Sequence, residues 1–317
     1  MNLTLLEPGD AKPEHDLCLA ICSRNLDSPT AQRTIKNLLS QTWPPNSALL
    51  LVLNGSRRDL TLDYLEPQRI GSSPPIYLAC EVESGFASVR NCALFWAERC
   101  ASILFLDDDT VVETGWLTDM WQHSHQQPTQ IFGSLHVRVG VVPNDQASID
   151  KLAEGVRHTK IPTLCGTNGL LLPLSVAAHH RFNPLFNSSG GEDTEFLLRL
   201  EREGYPEQTA ACIAIEEDRM LSQSWLQDAR AAFKQGRLWV AINQTLRRPT
   251  LVLHLRSFVG LIPAITRLLL SATQPRQERR RRLRTLAVRI GVSSTILVRM
   301  AFNADPDAKG MGREGQR

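Results

Sequence analysis

Three consecutive aspartates, Asp107, Asp108 and Asp109, lie at the end of the predicted strand over residues 102–111. Side chains two positions apart on a strand point to the same face, so we expect Asp107 and Asp109 to converge while Asp108 points elsewhere. Two converging carboxylates repel each other unless a cation lies between them. Mg²⁺ or Mn²⁺, held by one or two carboxylates and a diphosphate, fits this ligand set. Such a metal would neutralise the charge that builds up on a departing phosphate.

Apolar segments that alternate with helical segments surround these aspartates. The predicted strands cover residues 17–25, 48–56, 76–83, 102–111 and 131–139, and the predicted helices cover residues 29–42, 88–100, 187–205 and 217–239. Continuous apolar strands that alternate with helices indicate a mostly parallel sheet buried on both faces, a Rossmann-like, doubly wound α/β fold. Ligands of such sheets collect beyond the carboxyl ends of the strands, which brings Arg24, Asn54 and Asp107 to one edge.

In order and spacing, these segments resemble the inverting glycosyltransferases of family 2, which have the GT-A nucleotide-sugar fold. The resemblance covers about residues 16 to 240 and is carried by ICSRN, LLLVLNGS, SGFASVRNCALFWAERCASILFLDDDTVVETGWL, FGSLHV, GTNGLLLP and FNPLFNSSGGEDTEFLLRLEREGY. It implies sugar transfer from a nucleotide-diphosphate donor, a UDP-sugar by preference, to a hydroxyl of a glycan or lipid-linked acceptor. Polysaccharide or cell-surface glycan biosynthesis is the implied setting.

The resemblance also implies roles for individual residues. The nucleotide-sugar-binding residues would be Ser23, Arg24, Asn25, Asn54, Arg90, Asp107, Asp108 and Asn168. Asp107 and Asp109 would bind Mn²⁺ or Mg²⁺ as the cofactor. One position departs from the family: where relatives often have Asp-Asp-Gly-Ser or Asp-Asn-Gly-Ser, this chain has Leu53-Asn54-Gly55-Ser56. A leucine cannot accept a hydrogen bond from a base N–H as an aspartate does, so the preferred base stays open.

A second acidic pair, Glu192 and Asp193, opens the predicted helix over residues 187–205. The resemblance implies that this is the catalytic pair, with Asp193 as the general base that takes the proton of the acceptor hydroxyl. There is also a structural interpretation. Ser189 and Glu192 have the spacing of a capping box, and acids in a first helical turn favour the helix dipole.

Charge is distributed unevenly along the 317 residues, whose net charge is only +2. Residues 247–300 carry a net charge of +11, whereas residues 1–246 carry −9, which argues against a nucleic-acid-binding protein. Leu255, Val259 and Ile262 recur at helical spacing in the basic part, and Pro263 predicts a kink. Such an amphipathic, Arg-rich segment either lies on an anionic membrane surface or packs on the catalytic domain.

The resulting organisation has four parts: a lead-in over residues 1–15, a GT-A domain over 16–246, an amphipathic helical extension over 247–302 and a flexible tail over 303–317. We predict no signal peptide, because the N-terminal segment has no continuous apolar stretch. The seven cysteines form no Cys-x-x-Cys pair and are expected to be reduced. The predicted location is cytoplasmic, peripheral on the cytoplasmic face of a membrane.

Two other classes of protein fit parts of the pattern. In a haloacid-dehalogenase-like phosphohydrolase, Asp107 would be the nucleophile and Asp109 the acid/base. That motif normally opens its domain, whereas three strand units precede it here. A catalytically degenerate nucleotide-binding protein would keep the fold without the chemistry, but Asp107, Asp109 and Asp193 are all present.

Overall fold

The computed structural model describes residues 3–55, 74–157, 166–217, 225–247, 251–269 and 276–304. The chain divides into two compact units, Met1–Asp218 and Arg219–Arg317. The division lies before the helix that starts at Trp225, so it differs from the predicted domain boundary after residue 246.

The first unit is built on a mixed sheet that has nine strands in the described ranges, in the order β1-β4-β3-β2-β5-β8-β7-β9-β6. The strands are β1 Leu3–Leu5, β2 Leu17–Ser23, β3 Ser47–Asn54, β4 Ile76–Glu81, β5 Ser102–Asp107, β6 Thr110–Val112, β7 Ile131–Val139, β8 Leu170–Pro173 and β9 Glu207–Glu217. The strands from β1 to β5 in this order run parallel, whereas β8 is antiparallel to both β5 and β7. The mostly parallel sheet is therefore confirmed.

Helices cover both faces of this sheet. They are α1 Pro29–Leu39, α2 Phe86–Trp96, α3 Trp116–Gln126, α4 Gln146–Arg157, α5 Leu174–Ala177 and α6 Glu192–Arg202, with a short 3₁₀ helix at Pro184–Phe186. Along β5, Ile103 and Phe105 pack in the cluster that contains apolar residues of α2 and α6. Leu104 and Leu106 pack in the opposite cluster, with residues of α1 and α3. This alternation confirms the doubly wound α/β arrangement that the apolar strands predict.

Two predicted elements differ from the structure. The predicted strand over residues 102–111 is two strands, because the chain leaves β5 at Asp107, turns at Asp108 and Asp109, and then forms β6 against β9. Asp107 and Asp109 are therefore not on one strand, so the rule that side chains two positions apart point to the same face does not apply to them. The predicted lead-in also contains β1, which pairs with β4 through backbone hydrogen bonds. The hydrophobic pattern of the sequence does not predict this pairing.

The second unit is helical. It consists of α7 Trp225–Thr245, α8 Leu251–Val259, α9 Leu261–Leu269 and α10 Arg276–Ala304. Helices α7 and α10 approach closely at two glycines. A Cβ on Gly236 would overlap the carbonyl oxygen of Val288, and a Cβ on Gly291 would overlap that of Phe233.

The predicted kink at Pro263 takes the form of a helix boundary. Helix α8 ends at Val259 and α9 starts at Leu261, so Pro263 lies in the first turn of α9, where its missing N–H costs no hydrogen bond. Among the described helices, none is both long and apolar enough to span a membrane.

Candidate active site

Arg90 on α2 joins the two acidic segments of the sequence. Its guanidinium forms an ion pair with Glu192 at the start of α6, and Nη2 lies 3.5 Å from Oδ1 of Asp107 at the end of β5. Burial alone would lower the pKa of Arg90, but the carboxylates of Asp107, Glu192 and Asp193 outweigh it and raise that pKa. A buried cation with three acidic neighbours holds the ends of β5 and α6 together at one edge of the sheet.

Helix α6 presents Glu192 and Asp193 in different environments. The Glu192 side chain is 4% exposed, and burial raises the pKa of this carboxyl to about 7, although Arg90 acts to lower it. Asp193 is half-buried; its Oδ1 accepts hydrogen bonds from the backbone N–H and hydroxyl of Thr194, and its Oδ2 faces Gly166. Glu192 therefore anchors the buried network, while Asp193 lies nearer the solvent.

The capping-box interpretation of Ser189 and Glu192 is wrong. Helix α6 starts at Glu192 itself, so this residue lies in the first helical position, not the third. The N-cap is Gly191 in a left-handed conformation, and the Ser189 hydroxyl donates to the carbonyl of Gly190. The glutamate is therefore free of the capping role that its spacing suggested.

Asn168 positions the end of β5. Its Oδ1 accepts from the backbone N–H of Asp107 at 3.1 Å, and its Nδ2 donates to Thr110 Oγ1 at 2.7 Å. One amide side chain thus spans the turn that contains Asp108 and Asp109. The contact of Asn168 with the nucleotide sugar stays a prediction, but its place beside Asp107 is clear.

The remaining predicted nucleotide-binding residues lie at the carboxyl ends of β2 and β3. The Ser23 hydroxyl donates to Asp108 Oδ2 and accepts from the backbone N–H of Asn25. Arg24 is exposed, with its guanidinium 5.2 Å from the ring centre of Phe86, an exposed aromatic residue at the start of α2. Asn25 is exposed as well. This edge combines a cation, an aromatic face and polar groups, as a nucleotide site requires.

Asn54 has a structural function that the sequence does not show. Its Nδ2 donates to the Glu83 carbonyl at 2.8 Å, and its Oδ1 accepts from the Gly85 N–H at 3.1 Å. Both ends of the amide therefore hold the loop between β4 and α2. The neighbouring Leu53, where relatives often have an aspartate, is 3% exposed and belongs to the apolar core.

His136 on β7 was not singled out by sequence reasoning. The residue is 6% exposed, its Nε2 has no hydrogen-bonding partner among the described residues, and its ring hydrogen-bonds the Asn168 backbone. Burial lowers the pKa of His136, and Asp107 opposes this effect. Gly169, with φ of +75°, makes room for it, because a Cβ there would overlap Ser134 Oγ and lie 3.2 Å from His136 Nε2. The only sequence signal was a histidine between the apolar residues Leu135 and Val137 of β7.

Comparison with known families agrees with this geometry. Residues 18–172, just under half of the chain, match the sequence model described as Glycosyl transferase family 2. The matched range runs from the second residue of β2 to the third residue of β8 and contains every predicted nucleotide-binding residue. Over residues 18–172 the chain is a glycosyl transferase family 2 domain. No curated protein matches the chain significantly.

The solved structures that are similar to this chain have low sequence identity to it. TarS of S. aureus is 15% identical, with a TM-score of 0.45 over 69% of this chain and 39% of that chain. A structure of residues 1–349 of S. aureus TarS is 13% identical, with a TM-score of 0.48 over 89% of this chain and 92% of that one. GalNAc-T7 with UDP, GalNAc and Mn²⁺ is 13% identical, with a TM-score of 0.48 over 65% and 44%. This chain therefore spans less than half of the longer TarS and GalNAc-T7 structures.

The family match favours a glycosyltransferase over the two alternative classes. The sequence model that matches residues 18–172 describes glycosyl transferases, not phosphohydrolases. Asp107, which the phosphohydrolase hypothesis made a nucleophile, instead lies beside the guanidinium of Arg90.

The residues at the end of β5 fit a divalent cation that the substrate helps to bind. The Asp107 side chain is 41% exposed, so its carboxylate is accessible from solvent. Within the described ranges, no three His, Cys, Asp or Glu side chains are grouped to hold a metal by themselves. Mg²⁺ and Mn²⁺ sites of nucleotide enzymes commonly use one or two carboxylates, with phosphate oxygens and water as the remaining ligands. The exposed carboxylate of Asp107 meets that smaller requirement, and Asp109 stays the predicted second ligand.

Proposed function

We propose that this glycosyltransferase moves a sugar from a nucleotide-diphosphate donor, a UDP-sugar by preference, to a hydroxyl of a glycan or lipid-linked acceptor, with inversion. The observation that carries the proposal is the position of Arg90 between Asp107 and Glu192. This contact gathers two acidic segments, more than eighty positions apart in sequence, at the carboxyl edge of a parallel sheet. Nucleotide ligands of such sheets bind at that edge.

In the proposed reaction, Asp193 is the general base. Its carboxylate takes the proton of the acceptor hydroxyl while that oxygen attacks the anomeric carbon of the sugar. The bond from the anomeric carbon to the diphosphate oxygen breaks from the opposite side, which inverts the configuration. A general base of this kind requires a carboxylate that solvent and substrate can reach, and half-buried Asp193 meets this requirement better than buried Glu192.

The proposed metal site has Asp107 and Asp109 as its protein ligands. A bound Mn²⁺ or Mg²⁺ would offset the negative charge on the departing diphosphate. Asn168 would keep Asp107 in place through the backbone hydrogen bond, and Arg90 would hold that carboxylate against α2.

The donor and the metal are tested together by thermal unfolding with UDP, GDP, dTDP or CDP, each with and without Mn²⁺. One nucleotide, UDP by our proposal, should raise the unfolding temperature only when Mn²⁺ is present, because the ligand binds only the folded state. Asp107→Asn should abolish this joint stabilisation. The control Asp119→Asn, an exposed position on α3, should retain it. No response to any nucleotide would contradict the proposal.

The proposed acceptor side includes an anionic membrane surface, which the second unit would contact. Arg256, Arg267 and Arg279 are exposed on its helices, together with exposed apolar side chains of α8 and α9. An apolar face flanked by arginines gains both area burial and charge attraction at such a surface. Flotation of the full chain with vesicles of phosphatidylcholine and phosphatidylglycerol tests this; equal recovery with phosphatidylcholine alone would contradict it.

A further inference from the structure

A cavity of about 550 Å³ in the second unit is lined by four arginines. Arg267 comes from α9, and Arg281, Arg282 and Arg289 come from α10. The described lining contains no acid. Cations so close together repel one another, so a ligand with several negative charges would be favoured there.

Two of these arginines are held in place by backbone carbonyls. Arg282 Nη1 donates to the Arg267 carbonyl at 2.8 Å, in the last turn of α9. Arg289 Nη1 donates to the Arg256 carbonyl at 3.1 Å, near the end of α8. Helix C-termini attract cations, so the two guanidinium groups are positioned before any ligand arrives. Each guanidinium has five N–H donors in a planar fork that matches phosphate oxygens.

An exposed apolar stripe runs along the helices that border the cavity. Its members are Leu255, Phe258, Val259, Ile262 and Ile265, which are 45% to 76% exposed. Leu255, Phe258 and Val259 lie three and four positions apart on α8, and Ile262 and Ile265 lie three positions apart on α9, so each group shares a face of its own helix. Monomeric soluble proteins rarely expose contiguous apolar patches of this kind unless something covers them. The cavity residues Gly260, Pro263 and Ala264 belong to the same stretch of chain.

We propose that this cavity binds the phosphate-bearing headgroup of an anionic membrane lipid, while the apolar stripe enters the acyl region beside it. The four arginines indicate a ligand with a phosphate group. The apolar stripe indicates that this phosphate belongs to a lipid, because a free phosphate compound would leave the apolar side chains in water. The volume is within the range of small-ligand sites. The inference rests on the membrane part of the proposed function and names the site within it.

The test is flotation of the full chain with vesicles of phosphatidylcholine mixed with phosphatidic acid. The double variant Arg267→Gln/Arg281→Gln should bind these vesicles roughly 30-fold more weakly, since each arginine near such a surface contributes about a factor of five or more. The matched control is Arg230→Gln/Arg237→Gln, which removes the same charge from exposed positions of α7 outside the cavity lining. It should bind within about 3-fold of the unchanged protein. Circular dichroism would verify that both variants keep their helices.

Three results would overturn the inference. Equal losses in the two double variants would mean that general charge, not the cavity, attracts the membrane, and the membrane proposal would survive without the site. Failure of the unchanged protein to bind anionic vesicles would remove both proposals. Unchanged binding by Phe258→Ser/Ile262→Ser, together with tight binding of inorganic pyrophosphate, would identify a site for soluble phosphate compounds.

Discussion

Asp193→Asn should lower the rate of sugar transfer by roughly 10²–10⁴-fold, the usual contribution of a general base. Asparagine has nearly the same shape, and its oxygen can still accept from Thr194, so the start of α6 should persist. It cannot take a proton from the acceptor. Turnover is measured with the donor identified by thermal unfolding, and nucleotide affinity by isothermal titration calorimetry. Affinity for the nucleotide should change little, because Asp193 acts on the acceptor hydroxyl.

The control for this prediction is Glu201→Gln, which removes an exposed carboxylate from the same helix. Its turnover should equal that of the unchanged protein. If Asp193→Asn retained near-normal turnover, Asp193 could not be the base. A parallel loss of turnover and nucleotide affinity would instead assign Asp193 to donor binding.

Arg90→Gln should destabilise the first unit by about 3 kcal/mol, because the buried Glu192 then has either to remain charged without its cation or to take up a proton in order to fold. Breaking a buried ion pair costs more than the pair itself contributes to stability. The variant should also lose transfer activity, since Asp107 and α6 would lose their shared contact. Thermal unfolding, monitored by tryptophan fluorescence, measures the loss of stability independently of the loss of transfer activity.

The Arg90→Gln deficit should depend on pH in a defined direction. The pKa of Glu192 is about 7 in the folded protein and would rise further without Arg90, which acts to lower it. When folding raises the pKa of a carboxyl, the free energy of unfolding of the protein falls as pH rises from the unfolded toward the folded pKa. The difference in free energy of unfolding between the unchanged protein and the variant should therefore grow above about pH 7. In that range Glu192 ionises in the unchanged protein but not in the variant. A deficit that shrinks between pH 7 and pH 9 would contradict this account.

Arg99→Gln is the matched control, because the same substitution there breaks an ion pair with Glu14 in which both side chains are more than half exposed. Solvent screens such pairs, so the unfolding temperature should barely change. If the two variants were equally stable, Arg90 would not be the link between β5 and α6.

The sequence predicted the parallel part of the sheet well, because buried parallel strands are continuous apolar runs. The run over residues 48–56 corresponds closely to β3, and that over 131–139 matches β7. The sequence could not predict that Asp107 ends one strand and Thr110 begins another, since β6 exists only through its pairing with β9, about a hundred positions later. Strand ends that depend on distant partners have no local signal.

In the candidate site, too, some residues could be predicted from the sequence and others could not. The acidic residues were found because carboxylates that directly follow an apolar strand lie at the sheet edge where ligands bind. The role of His136 was missed, because its burial depends on the space that Gly169 leaves and on the backbone of Asn168. Likewise, Asn54 holds a loop through two backbone contacts that only the folded chain brings together.

Asn54 and Asn168 share a chemical vulnerability. Each is followed by a glycine, the neighbour that least hinders attack of the next backbone nitrogen on the side-chain amide. Deamidation would convert Nδ2 from a donor into a carboxylate oxygen. At Asn54 that oxygen would face the carbonyl of Glu83, and at Asn168 the new charge would arrive beside Asp107. Deamidation during alkaline storage would thus add negative charge where the donor diphosphate is proposed to bind. Chemical ageing of the protein would therefore begin at its proposed active site.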